Sequence, residues 1–426
     1  MSRSGWAAAG AAAALAAVTL GGLHVARGLD YWNYSEGVYA LSSRLLLSGD
    51  DLYGDVVAAQ PPWLFLVGAG VLWLGDSIDV LRLGLGVAQL AAGLLGARAV
   101  WRLTHSAAAS ALTAPLTLLT PWAVHEHGSL TPEVLVAPIL LGAALLSTRP
   151  RSAPVAGALA ATAPFVKWPF LIVVPVVVAL SARPRRAAVG ALLALAVQGL
   201  AFTLVFGDGV WTHTILAQLN SGRRNLLTLD GVAAQAAWNL AGLLALTAIA
   251  AVRHRAADDA PLLRALGGLA AAVMLTLATV VKEGTALNVL VPVEAVLLPL
   301  AITGGVLAIR AARTRAVPVL GVVVALAFTF AQTASILTSD VTRTPFTIPT
   351  AELGAWGRVA TGAEVERQAA RARRCPPGVP FSGPPFIAFV ARRQMPGGQP
   401  DQFLPAHSSS LRAELAEINA AAVRCP

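Results

Sequence analysis

Eleven apolar segments rich in Ala, Leu and Val run through this chain, with arginines punctuating the gaps between them. They cover residues 6–23, 80–103, 107–124, 133–146, 153–166, 168–182, 187–206, 232–252, 265–281, 286–309 and 317–337. A helix crossing a bilayer needs about 20 mostly apolar residues, so the longer segments read as membrane spans and the shorter ones imply kinks or local thinning. Composition agrees: 12% of the 426 residues are charged and 56% hydrophobic, where a soluble domain has about a quarter charged. The fold class this implies is an all-α polytopic membrane protein with about eleven transmembrane helices. Segment 6–23 follows the basic start Ser2-Arg3-Ser4. Because so many spans follow, it reads as a retained signal-anchor helix.

The formal charge of +9 invites a nucleic-acid partner, but the placement of the arginines argues against one. They fall in pairs and triplets between apolar segments: Arg98/Arg102, Arg149/Arg151, Arg183/Arg185/Arg186, Arg253/Arg255 and Arg310/Arg313/Arg315. That is the positive-inside pattern of cytoplasmic loops facing anionic head groups. The apolar piece 63–74 decides the parity. If it crosses the membrane, most clusters land outside. If it stays re-entrant or interfacial, as its length suggests, all of them land inside. The expected topology therefore has the N-terminus in the cytoplasm and the C-terminus outside.

This parity gathers the remaining polar residues at one face. All four tyrosines, Tyr31, Tyr34, Tyr39 and Tyr53, share one window with Asp30, Glu36, Asp50, Asp51 and Asp55, which closes on Gln60-Pro61-Pro62-Trp63. His125-Glu126-His127, Glu133, Lys167, Arg223-Arg224 and Lys282-Glu283 fall at the same face. Residues 1–340 thus read as a membrane domain whose first outer loop, 25–76, carries an amphipathic helix over 36–49 that ends at a glycine turn. Residues 341–426 read as a small extracytoplasmic α/β domain. Its only cysteines, Cys375 and Cys425, are expected to pair outside the cell.

Lys167 and Lys282 are the only lysines, and both interrupt apolar runs. A charge costs about 2.5–3.5 kcal/mol at the centre of a span and less near its ends. Each ammonium either meets a phosphate or carboxylate or merely snorkels to the interface. Pro164 and Pro169 around Lys167 favour function there. Arg223-Arg224 could clamp phosphate or form an ordinary basic loop. His125, Glu126 and His127 are weak metal candidates: histidines at i and i+2 reach one ion only from an extended loop, and no third ligand is suitably spaced. Glu133 either orients Lys167 or the acceptor, or acts as a helix N-terminal acid.

Ser35-Glu36-Gly37-Val38-Tyr39, Gly49-Asp50-Asp51-Leu52-Tyr53, Pro61-Pro62-Trp63, Thr131-Pro132-Glu133, Val166-Lys167-Trp168-Pro169 and Lys282-Glu283-Gly284 follow one another in an order that resembles the GT-C glycosyltransferases. These multispanning enzymes use polyprenyl-phosphate sugars; the nearest kinds are the bacterial relatives of protein mannosyltransferases and aminoarabinose transferases. The resemblance covers most of the chain and rests on motif order rather than on any one motif. It implies a first-loop carboxylate as general base, Asp30 or Glu36, since Ser35 stands where the family has the first acid of an Asp-Glu pair. It implies Lys167, Lys282, Glu133 and Tyr39 as residues for substrate and phosphate, to which Arg223 and Arg224 are added on their own chemistry, a polyprenyl-phosphate sugar as donor, and an envelope glycan, lipid or protein as acceptor. It also implies a small outer domain, with 379–381 and 386–391 as short strands. It names no certain cofactor and leaves a divalent cation open. The competing readings are a scaffold of the same fold that has lost its base, and a membrane protein that binds or transports a lipid phosphate.

Overall fold

The computed structural model describes residues 3–31, 33–221, 226–281, 287–312, 316–338, 360–420 and Cys425. Among them it is helical throughout, with isolated β-bridges and no sheet. Seven helices are long and apolar enough to cross a membrane: Gly5–Arg27, Ile78–Thr104, Pro184–Phe206, Ala233–Val252, Ala260–Val281, Leu287–Ala311 and Pro318–Thr338. Five apolar helical segments are shorter: Pro62–Leu74, Ala107–Leu118, Pro132–Ser147, Ala153–Phe165 and Trp168–Ala179. The expected segment over 107–124 breaks because Pro121 opens a new five-residue helix, Pro121–His125. The segments on either side of Lys167 are separated by that residue itself, which is fully extended (φ −158°, ψ 122°) between two 3-10 turns.

Leu287–Ala311 is the central pillar, 94% of its apolar window being buried. Ile78–Thr104, Pro132–Ser147, Leu226–Val252 and Ala260–Leu275 pack around it. Pro184–Phe206 lies at the periphery and exposes Leu192, Leu193, Val197, Leu200 and Leu204, an apolar face suited to lipid rather than water. Small residues let helices approach closely, as membrane packing requires in the absence of a hydrophobic drive between helices. A Cβ on Gly157 would fall 1.9 Å from Ala187 O, and one on Gly190 would fall 2.0 Å from Pro154 O.

Two helices frame the first loop. The first, Tyr34–Ser48 (here α2), is capped by the Asn33 side chain accepting from Ser35 N and closes at Gly49, which adopts φ 96°. The glycine turn falls where the sequence indicates, but α2 is not a surface helix. Nine of its residues, including Glu36 and Tyr39, are buried between Pro62–Leu74 and the tail helix Pro385–Ala391. That tail helix corrects the strand expected over 386–391. Pro385 occupies the first helical turn and the side chains are apolar all round, and a short apolar run has no period that separates strand from buried helix. The stretch 379–381 makes one bridge, Phe381 with Cys425. Cys375 and Cys425 are disulfide-bonded, with their Cα atoms 5.9 Å apart.

Candidate functional site

Two acid–base clusters form at the end of the bundle that carries the first loop. In one, Glu36 on α2 meets Arg82, four residues into the helix Ile78–Thr104. Arg82 Nε donates to Glu36 Oε1 and Nη2 to Oε2, each at 2.8 Å. The same guanidinium donates to Gly28 O (2.7 Å) and Asp30 O (2.6 Å). Both side chains are shut off from solvent, at 2% and 1% exposure. Glu36 is therefore a buried anchor for the chain around Asp30, with both carboxylate oxygens engaged by Arg82.

Asp30 is differently placed. It is partly exposed, and its Oδ1 accepts from Gly362 N at 2.8 Å, the first residue of the tail helix Gly362–Arg373. The next residue, Tyr31, pairs its backbone with Ala360 in both directions, at 2.8 and 3.0 Å, and stacks on Phe386 with ring centroids 4.6 Å apart. The tail thus holds Asp30 from one side and Arg82 from the other.

The second cluster centres on Glu133, in the first turn of Pro132–Ser147. One carboxylate oxygen accepts from Lys167 Nζ and the other from Asn288 Nδ2 at 3.2 Å. Glu133 is fully buried, whereas the Lys167 side chain keeps 14% exposure. Lys167 can reach across because the kink between its flanking 3-10 turns aims it out of the helix line. Tyr39, one turn after Glu36 on α2, is buried with its ring edge-on to Phe65 at 5.8 Å. Burial pushes its phenol above its usual range, and the charges of Glu133 and Asp401 push the same way. An aromatic wall flanks the lysine: Phe165 and Trp168 lie 5.5 Å apart, Trp168 and Trp211 5.8 Å, and Phe165 and Phe202 5.5 Å.

The His125-Glu126-His127 triplet is a buried brace. His125 Nδ1 pairs with Glu126 Oε1 at 2.9 Å, Asn33 donates to Glu126 Oε2 at 3.0 Å, and Arg27 donates to His125 O at 2.8 Å. Glu126 is thus spent on neighbouring side chains. Among the described residues no three His, Cys, Asp or Glu side chains gather as a ligand set. Burial lowers the His127 imidazole to about 3, with Arg27, His24 and Arg82 adding to the effect. Arg223, Arg224 and Lys282 lie outside the described residues.

Sequence reasoning missed Arg82, Asn288 and the contribution of the tail. Arg82 carried a signal, since it stands apart from every arginine cluster at the face the parity argument calls outer. Asn288 carried none. The tail residue Gln399 accepts from Val57 N and donates to Asp55 O, both at 2.8 Å, and Tyr34 Oη accepts from Gln402 N at 3.3 Å.

A bundle of this kind, with a polar first loop packed under a helical tail, defines a polytopic membrane protein of GT-C-like fold. Two solved structures share it. ArnT from Cupriavidus metallidurans bound to undecaprenyl phosphate superposes with TM-score 0.62 at 16% identity, over 99% of this chain and 90% of that one. The apo state of the same protein gives 0.61 at 16% identity, over 94% and 88%. No family model matches the chain, and no curated protein matches it.

Proposed function

We propose that this protein is an integral membrane glycosyltransferase that moves a hexosyl or pentosyl group from a polyprenyl-phosphate donor to a cell-envelope acceptor at the extracytoplasmic face. The observation that carries this reading is the Glu133–Lys167–Asn288 cluster, set in a fold whose solved example holds undecaprenyl phosphate. An ammonium has three donors and Glu133 takes one, so Lys167 can turn the others to a phosphate. With all eleven apolar segments crossing and 62–74 remaining on one side, the cytoplasmic N-terminus and outer C-terminus follow from the arginine clusters.

In the proposed reaction Asp30 takes the proton of the acceptor hydroxyl as that oxygen attacks the anomeric carbon. The bond from anomeric carbon to phosphate oxygen breaks, and the polyprenyl phosphate leaves with its added charge held by Lys167. Tyr39 and Glu133 line the route. Glu36, held by Arg82, positions Asp30 rather than sharing its role. Lys282 and the Arg223-Arg224 pair remain proposals for further phosphate contacts, and an envelope glycan, lipid or protein remains the acceptor class.

The test is transfer of labelled sugar from a panel of polyprenyl-phosphate donors in membranes containing wild type, Asp30→Asn or Glu36→Gln. Transfer by wild type that is lost in Asp30→Asn supports the reading and names the base. No transfer from any donor by intact protein that still binds a lipid phosphate points instead to a binding or scaffold protein.

A further inference from the structure

Away from both clusters, a groove of about 550 Å³ opens between the segment ending at Ser221 and the tail. That volume lies within the range of small-molecule sites, roughly 300–1,000 Å³. Its polar lining includes Asn220, Ser221, His407, Ser409, Arg412 and Asn419. They are amides, hydroxyls, an imidazole and a guanidinium, and among the described residues no carboxylate lines the groove. His407 and Arg412 are exposed, and Arg412 makes no ion pair among the described residues. The His407 ring is fixed, stacked on Phe403 at 3.9 Å, and its Nδ1 donates to Phe403 O at 2.8 Å. A carbonyl can only accept, so Nδ1 carries the hydrogen and Nε2 is left to face a ligand.

The groove is built onto the candidate site. Ser221 and Ser408 form an antiparallel bridge across its two walls. Beneath them Val57 and Ala59 of the first loop, Ala217, and Leu404 and Leu411 of the tail make one buried apolar cluster. Gln218 donates to Ala59 O at 2.8 Å. The carbonyl of the next residue, Gln60, accepts from Tyr53 Oη at 2.6 Å. A ligand in the groove therefore rests on the first loop, at the stretch that Gln218 and Tyr53 hold.

We propose that this groove holds an anionic, hydroxyl-rich saccharide segment of the acceptor, with Arg412 on its anion, His407 Nε2 accepting from a hydroxyl, and the amides and serines completing the hydrogen bonds. This deepens the transferase reading and rests on it. A cation with several neutral donors and acceptors matches a saccharide bearing carboxylate or phosphate. A neutral chain would offer Arg412 hydroxyl oxygens but no counter-charge, and an apolar lipid tail would strand the amides.

The experiment is direct binding to the purified full chain in detergent, without any transfer step. The probes are a galacturonate hexamer, a ribitol-phosphate hexamer and an uncharged glucan hexamer. At least one anionic probe should bind tenfold or more tightly than the glucan, and Arg412→Ala should erase that preference. His407→Ala should weaken binding several-fold. Preference for galacturonate or for ribitol phosphate identifies the anion. Equal binding of all three, no binding, or wild-type binding by Arg412→Ala overturns the proposal. Lys167→Met should bind the anionic probe like wild type while losing transfer, so failure of the groove and failure of the transferase reading are distinguishable.

Discussion

Glu36–Arg82 and Glu133–Lys167 are both acid–base pairs at the same end of the bundle, and α2 faces both, yet they are built differently. Arg82 spends four donor contacts on Glu36, Gly28 and Asp30 and is sealed from solvent. Lys167 has one acid partner and a side chain still 14% exposed, while its partner is fully buried. A planar guanidinium with both carboxylate oxygens engaged has geometry and no spare capacity. An ammonium on a flexible stem, at the edge of a buried carboxylate, keeps capacity for a second anion. The first arrangement fixes a loop, and the second can receive a ligand.

The comparison is broken most directly by removing one charge from each pair. Glu36→Gln leaves a buried guanidinium without its counter-charge, which costs about 3–5 kcal/mol in such pairs. The expected result is a large drop in thermal midpoint in detergent and poor recovery of folded protein. An unchanged midpoint would mean that Arg82 is not the anchor described here. Lys167→Met is expected to lower transfer by about 10²–10³-fold, the size seen when one donor to developing charge is removed. Combining it with Glu133→Gln removes both charges, and that double variant should keep the fold while staying inactive. If it instead unfolds as readily as Glu36→Gln, the two pairs are equivalent and the distinction fails.

A smaller effect is expected where α2 meets the tail. A Cβ at Gly37 would fall 2.2 Å from Phe386 N and 2.7 Å from its Cα, so backbone rather than a flexible side chain would have to move. Gly37→Ala should cost about 1–3 kcal/mol, as overpacking does, and should reduce transfer by loosening both pairs together. A thermal midpoint within a degree of wild type would show that the tail is not seated on α2.

How much of this was legible depended on whether the information was local. The seven long apolar helices and the helix ending at Gly49 are written in runs of neighbours, and the structure has them. The order of short motifs led to the GT-C-like fold. Lys167 stood out because a lysine between two prolines in an apolar run demands an explanation. Its partner Glu133 lies 34 positions earlier and Glu133's other partner, Asn288, 155 positions after Glu133, and nothing in sequence spacing says which residue faces which across a bundle. Phe386 to Ala391 was misread as a strand because six apolar residues carry no usable period, although Pro384-Pro385 before them is a helix-start signal.

The smallest expected effect concerns His127, beside the Glu36–Arg82 pair. Its imidazole is held neutral down to about 3 by burial and by the charges of Arg27, His24 and Arg82, whereas in the unfolded chain it takes a proton near 6.5. A depressed folded value means that the contribution to stability is whole above about pH 6.5 and is lost progressively as pH falls towards 3. By pH 5.5 this one group should cost about 1.4 kcal/mol, and by pH 4.5 about 2.7 kcal/mol. Thermal midpoints of wild type and His127→Asn between pH 7.5 and 4.5 read the difference directly: wild type should fall more steeply, with the two curves diverging below pH 6.5. Parallel curves would show that His127 accepts its proton in the folded protein as readily as in the unfolded one. The sealed, cationic surroundings inferred around Arg82 would then have to be open to water, and the contrast with the Lys167 site would lose its physical basis.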